Sequence, residues 1–168
     1  MSQILPESAK KKVGDVMTAE VITVTPDTTV SQIAKLMSTH HIGGVPVVDA
    51  AGRVVGVVTE LDLIVRNTRF EMPAFFTILD MIFYLETPGH YKNRLKHILG
   101  TKAAEIMSEP AETISPYDTI GELAKIMEGR RMNPIPVVDE NQVLVGIVSR
   151  SDVVRLMAQE IIDEDEVE

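Results

Sequence analysis

Residues 45–62 read Val45-Pro46-Val47-Val48-Asp49-Ala50-Ala51-Gly52-Arg53-Val54-Val55-Gly56-Val57-Val58-Thr59-Glu60-Leu61-Asp62. Two aliphatic runs flank a short turn sequence, and the second run passes directly into Thr-x-x-Asp. The pattern predicts a β-hairpin with strands Val45–Asp49 and Val54–Val58, and a helix starting near Leu61. Ninety residues later the same reading returns. There the strands are Ile135–Asp139 and Leu144–Val148, the turn is Asp139-Glu140-Asn141-Gln142, and the helix starts near Ser151 within Ser149-Arg150-Ser151-Asp152.

The correspondence extends outward without a gap. Positions 15–62 fall on 105–152 when shifted by 90, and 15 of the 48 pairs are identical. Upstream of each hairpin, Val21–Val24 and a partner ending at Ile114 read as short strands. Pro26 and Pro116 then break the chain. Thr28 or Thr29, and Asp118 or Thr119, can cap the helices that follow. Val30, Ile33, Ala34 and Met37 recur at helical spacing, as do Ile120, Leu123, Ala124 and Met127. The expected fold is α/β, a β-α-β-β-α unit used twice. Each half spans about 55 residues and buries too little surface to be stable alone. The two copies are therefore expected to pack around a pseudo-twofold axis, so any cleft on that axis occurs twice.

Composition narrows the function. The 168 residues carry a formal charge of −9, and six of the acids lie in the last nine residues. An acidic chain is a poor ligand for phosphate backbones, which argues against nucleic acid. The acidic end, 161–168, reads as a solvated tail. With no cysteine, disulfides, thiolate catalysis and cysteine metal sites are excluded. No stretch is long and apolar enough to predict a membrane span, and the N-terminal residues do not read as a signal peptide. A cytoplasmic protein is expected.

Chemistry concentrates at Gly56-Val57-Val58-Thr59-Glu60-Leu61-Asp62 and Gly146-Ile147-Val148-Ser149-Arg150-Ser151-Asp152. Each runs from a strand into a helix. One reading is structural: Thr59 or Ser149 caps the helix, and the acid three residues on completes a capping box. The other is functional. A hydroxyl and free N–H groups at a helix start suit a phosphate, and a carboxylate one turn in suits a ribose diol. Two copies at one offset, each behind the same Pro-Val-Val-Asp strand, favour the ligand.

With the openings Asp15-Val16-Met17-Thr18 and Glu105-Ile106-Met107-Ser108, these segments resemble two CBS motifs forming a Bateman module. The resemblance covers repeats at 10–66 and 101–160. It implies a regulatory module that binds an adenosine-containing ligand (AMP, ADP, ATP or S-adenosylmethionine) between the motifs, and a homodimer of modules. It further implies that each cleft draws on both repeats. One would combine Ile147, Ser149 and Asp152 with Val21, Ile22, Ile42, Gly43 and Pro46. The other would combine Val57, Thr59 and Asp62 with Ala111, Glu112, Met132 and Asn133. Aliphatic side chains would sandwich adenine, and the Asp would hold the ribose.

Charge separates the two clefts. Arg150 lies within the Ser149/Asp152 motif, whereas Glu60 lies within the Thr59/Asp62 motif, with Glu112 opposite. An arginine can chelate phosphate and a carboxylate repels it, so the Ser149/Asp152 cleft is expected to be the better nucleotide site. The alternative is that Arg150 and Glu60 both point to solvent. His40-His41 and Arg130-Arg131 occupy equivalent places near the expected cleft mouths, to contact phosphate or be solvated. The four histidines make no metal-binding spacing, and no nucleophile stands with a paired base. No metal, required cofactor or catalytic role is expected.

Between the repeats, 67–100 departs from the resemblance. Six of the seven aromatic residues (Phe70, Phe75, Phe76, Phe83, Tyr84 and Tyr91) fall here. Pro73 to Leu85 is apolar nearly all round, and a helix of about 12 residues is expected, with stripes Phe75/Ile78/Ile82/Leu85 and Phe76/Leu79/Phe83. Thr87-Pro88-Gly89 would end it, and Tyr91–Lys96 reads as a basic amphipathic stretch. A dimer interface is the favoured use of this helical insertion. Burial within the module, or docking onto an effector or a membrane surface, are the alternatives. The leading expectation is a ligand sensor acting in trans on an effector protein. The alternative is a non-catalytic adaptor with vestigial clefts.

Overall fold

The computed structural model describes residues 7–68, 75–78, 81–84, 101–130 and 133–165. Helix α1 (Glu7–Lys10) and a 3-10 turn (Val13–Asp15) lead into the first repeat: α2 (Val30–His40), β1 (Gly44–Val48), β2 (Val54–Thr59) and α3 (Glu60–Thr68). Strands β3 (Phe75–Ile78) and β4 (Met81–Tyr84) follow. The second repeat has a 3-10 turn (Ala103–Glu105), α4 (Ile120–Arg130), β5 (Ile135–Val138), β6 (Leu144–Val148) and α5 (Arg150–Asp165).

The local chemistry repeats with the sequence. Of the two candidate caps in each copy, Thr29 and Thr119 are used. Thr29 Oγ1 accepts from Gln32 N while Gln32 Oε1 accepts from Thr29 N at 3.0 Å. Thr119 and Glu122 make the same exchange. Each hairpin turn is closed by its aspartate. Asp49 Oδ1 accepts from Ala51 N and Arg53 N at 2.8 and 3.0 Å, and Asp139 Oδ1 accepts from Asn141 N and Val143 N at 2.8 and 2.9 Å. Strands β1 and β2 pair antiparallel, as do β5 and β6, and both ladders slip register at the same place, before Val48 and before Val138.

The strands expected at Val21–Val24 and before Ile114 shrink to single parallel bridges, Val24 to Val47 and Ile114 to Val137. Proline accounts for this. Val24 N donates to Pro46 O, and Val48 N donates to Val24 O. The next rung of a parallel ladder would need Pro46 to donate to Ile22 O, and proline has no N–H. Pro136 stops the second ladder in the same way, so neither sheet is extended by a third strand there.

The two copies are interlocked. Val13 N and Gly14 N donate to Asp118 O and Pro116 O, while Ala103 N and Ala104 N donate to Thr28 O and Pro26 O. Thr18 exchanges backbone hydrogen bonds with Ile147, and Ser108 with Val57. Side chains follow the backbone. Val13 is fully buried in the second repeat's core with Ile114, Leu123, Ile135, Val137 and Val148, and Ala103 is buried in the first repeat's core with Ile33, Val45, Val47 and Val58. Each core is thus completed by the opening segment of the other copy. Gly56 and Gly146 permit this closeness: a Cβ at Gly56 would lie 2.5 Å from Met107 Sδ, and Met17 crowds Gly146 in the same way.

The helix expected over 73–85 is corrected where the structure describes it. Strands β3 and β4 form an antiparallel hairpin in which Phe75 pairs with Tyr84 and Phe76 with Phe83. Aromatic and β-branched residues favour strands, and a short run that is apolar all round has no periodicity to separate helix from strand. The helical stripes therefore do not form at 75–78 and 81–84. Thr87-Pro88-Gly89 and Tyr91–Lys96 lie outside the described residues.

Candidate functional site

A cleft of about 270 Å³ opens between the repeats. Thr18, Glu20, Val21 and Ile22, ahead of the Val24 bridge, line one side. The stretch from His41 to Gly44, entering β1, lines a second side. Asn133 and Pro134, entering β5, line a third. Ile147, Ser149, Ser151 and Asp152, where β6 passes into α5, form the last.

The Ser149–Asp152 turn is held from within. Ser149 N and Ser149 Oγ both donate to Asp152 Oδ2, at 2.8 and 2.6 Å, and Ser151 Oγ lies 2.7 Å from Ser149 Oγ. Arg155 Nη1 approaches Asp152 Oδ1 at a loose 3.4 Å. The Asp152 side chain is only 12% exposed. One carboxylate oxygen is therefore spent on the cap, while the other keeps accepting capacity beside the cleft. The cap does not exhaust the carboxylate, and the two readings of this motif are compatible. Thr59 and Asp62 make the equivalent cap: Thr59 N and Oγ1 donate to Asp62 Oδ2, both at 2.7 Å.

Seven residues expected together, Val21, Ile22, Ile42, Gly43, Ile147, Ser149 and Asp152, lie around this one cleft. Two expected with them do not. Pro46 is fully buried in the core, where it shapes the cleft by ending the ladder. Arg150 is exposed and is not among the lining residues; its backbone N–H donates to Asn133 Oδ1 at 2.7 Å. Asn133, expected opposite Thr59 and Asp62, lines the Ser149/Asp152 cleft. Val57 is fully buried and bridged to Ser108, and Ala111 is half-buried. Met132 lies outside the described residues. Glu60 lines an outer groove with Met37, His41, Leu63 and Ile64, between α2 and α3. His41 borders both this groove and the cleft; His40 is exposed. Sequence reasoning missed Thr18, Glu20, Gly44, Pro134 and Ser151 as lining residues. The Thr18–Ile147 bridge that brings the first of them in has no sequence signature.

Among the described residues, no helix is long and apolar enough to cross a membrane. A family model for the CBS domain matches residues 13–66 and 103–159. An uncharacterised protein of Methanopyrus kandleri is 29% identical over 144 residues, covering 86% of this chain and 61% of its own length. The crystal structure of CBSX2, a CBS-pair protein from Arabidopsis thaliana, in complex with AMP superposes with a TM-score of 0.67 at 23% identity, covering 88% of this chain and 96% of that one. The CBS domain pair of protein MJ0100, in complex with 5′-methylthioadenosine and S-adenosyl-L-methionine, superposes with a TM-score of 0.66 at 22% identity over 90% and 98% of the two chains.

Proposed function

The chain belongs to the CBS domain family, as two tandem repeats, and from that premise we propose that it is a regulatory sensor of an adenosine-containing ligand. The ligand is AMP, ADP, ATP or S-adenosylmethionine, held in the cleft bounded by Val21, Ile22, Ile42, Gly43, Ile147, Ser149 and Asp152. The observation that carries this reading is the Asp152 carboxylate. It is nearly buried beside a mostly uncharged cleft, with Oδ2 tied to Ser149 and Oδ1, met only at 3.4 Å by Arg155, keeping a lone pair to accept from a ribose diol. Aliphatic Val21, Ile22, Ile42 and Ile147 supply the surface for a purine. That AMP, 5′-methylthioadenosine and S-adenosylmethionine occupy structures of this fold supports the ligand class.

The signal is read in trans, by an effector protein, from a homodimer. Supporting the dimer, α3 exposes Leu61 and Ile64, and α5 exposes Val154, Met157 and Ile162. Ile64 and Val154 are offset partners, so at this pair the exposed apolar surface follows the molecule's own pseudo-symmetry.

The test is calorimetric titration of the wild type and Asp152→Ala with AMP, ADP, ATP and S-adenosylmethionine. At least one ligand should bind the wild type, and Asp152→Ala should weaken it at least about tenfold, 1.4 kcal/mol. Silence from all four ligands would sink the sensor and favour an adaptor with vestigial clefts.

A further inference from the structure

We propose that Asn133 is a ligand-contacting residue of the Ser149/Asp152 cleft, presenting its amide NH2 as a hydrogen-bond donor to an acceptor atom of the ligand; this rests on the adenosine reading above. Asn133 lines the cleft, and its Oδ1 accepts from Arg150 N at 2.7 Å. A backbone N–H can only donate, so this bond assigns the amide's orientation: the oxygen faces the start of α5, and the NH2 is left over.

The first repeat shows that the fold does not need a side chain for this job. At the equivalent place, Glu60 N donates to Gly43 O at 3.0 Å, main chain to main chain. The second repeat satisfies the same helix-start N–H with an amide side chain, and so brings two further donors to the cleft wall. They join the Thr18 hydroxyl and the His41 ring as side-chain donors of a cleft whose remaining polar side chains mostly accept or are already engaged. Asp152 and Glu20 are acceptors when ionised, and Ser149's hydroxyl proton is committed to Asp152 at 2.6 Å. Ligand hydroxyls can donate to Asp152, while an acceptor of the ligand, a ring nitrogen or an oxygen, meets Asn133.

Two variants separate donation from capping. Asn133→Asp keeps an oxygen for Arg150 N but replaces the NH2 with an acceptor. Asn133→Gly copies the residue of the first repeat and adds no charge. Adenosine and AMP are titrated calorimetrically against the wild type and both variants, with thermal unfolding run alongside. The expected result is an essentially unchanged melting temperature for Asn133→Asp, with at least tenfold weaker binding of whichever probe the wild type takes up. Asn133→Gly should lose affinity similarly. Wild-type affinity in both variants would overturn the proposal. A wild type that binds neither these probes nor S-adenosylmethionine would overturn the adenosine reading itself, a result distinct from a binding wild type with indifferent variants.

Discussion

Thr18 and Ile147 exchange both backbone hydrogen bonds, at 2.8 and 2.9 Å, across the boundary between the repeats. The pair joins the opening of one copy to the last strand of the other and forms one edge of the cleft. Cleft geometry and interrepeat packing are thus set by the same contacts, and on the proposed function disturbing the packing should register in binding.

The glycine–methionine contacts offer one such disturbance. Gly146→Ala places a methyl group against Met17, and Gly56→Ala places one against Met107. Each should destabilise the protein by about 1–3 kcal/mol through overpacking. Chemical denaturation should show that Met17→Ala partly rescues Gly146→Ala and does nothing for Gly56→Ala.

Val13 tests the interchange of segments. Val13→Ala should cost about 2 kcal/mol, as expected for two buried methyl groups. A fragment of residues 101–168 lacks Val13 and the donors from Val13 N and Gly14 N. It should show no cooperative thermal transition alone, and should gain one when mixed with residues 1–68.

Pro46 should prove to be a residue that acts on the ligand from inside the core. Pro46→Ala restores the N–H that can reach Ile22 O. Hydrogen exchange should find that new amide protected. With Ile22 drawn into the ladder, ligand affinity should drop about fivefold, one net hydrogen bond.

Acid sensitivity follows from three surface carboxylates. Hydrogen bonds from the Arg53 backbone and side chain hold Asp49 below its ordinary pKa, the bond from Lys102 does so for Asp27, and the bonds from Thr119 do so for Glu122. Because the folded values are depressed, the stabilisation is complete above the unfolded values and is lost as pH falls through the folded ones, below about pH 4. Melting temperatures measured between pH 6 and pH 3 should fall less steeply in an Asp27→Asn/Asp49→Asn/Glu122→Gln protein than in the wild type.

The offset of 90 residues made much of this legible in advance. The hairpins, and the caps to within two adjacent residues, are local patterns that a second copy guards against coincidence, while the aliphatic face of the cleft is implied only by the family resemblance. What stayed hidden depends on contacts between distant residues. The sequence offers the Arg150 side chain as the feature of its motif, whereas the long-range contact the structure shows at this residue is its backbone N–H, taken up by a residue 17 positions away. Pro46 is placed at the cleft only by the family resemblance, whereas it lies buried within β1 and its effect comes from a hydrogen bond it cannot make. The 75–84 segment failed for a different reason: without a polar face, its sequence carries no period.

The exchange of Val13 and Ala103 between cores also bears on how such a molecule comes together. A lone copy would lack the piece that closes its own core and would have to find it on a second molecule, at a rate set by protein concentration. Joining the copies in one chain presents each half with its complement at an effective concentration on the order of millimolar. Assembly then becomes a first-order step, indifferent to how much protein is present.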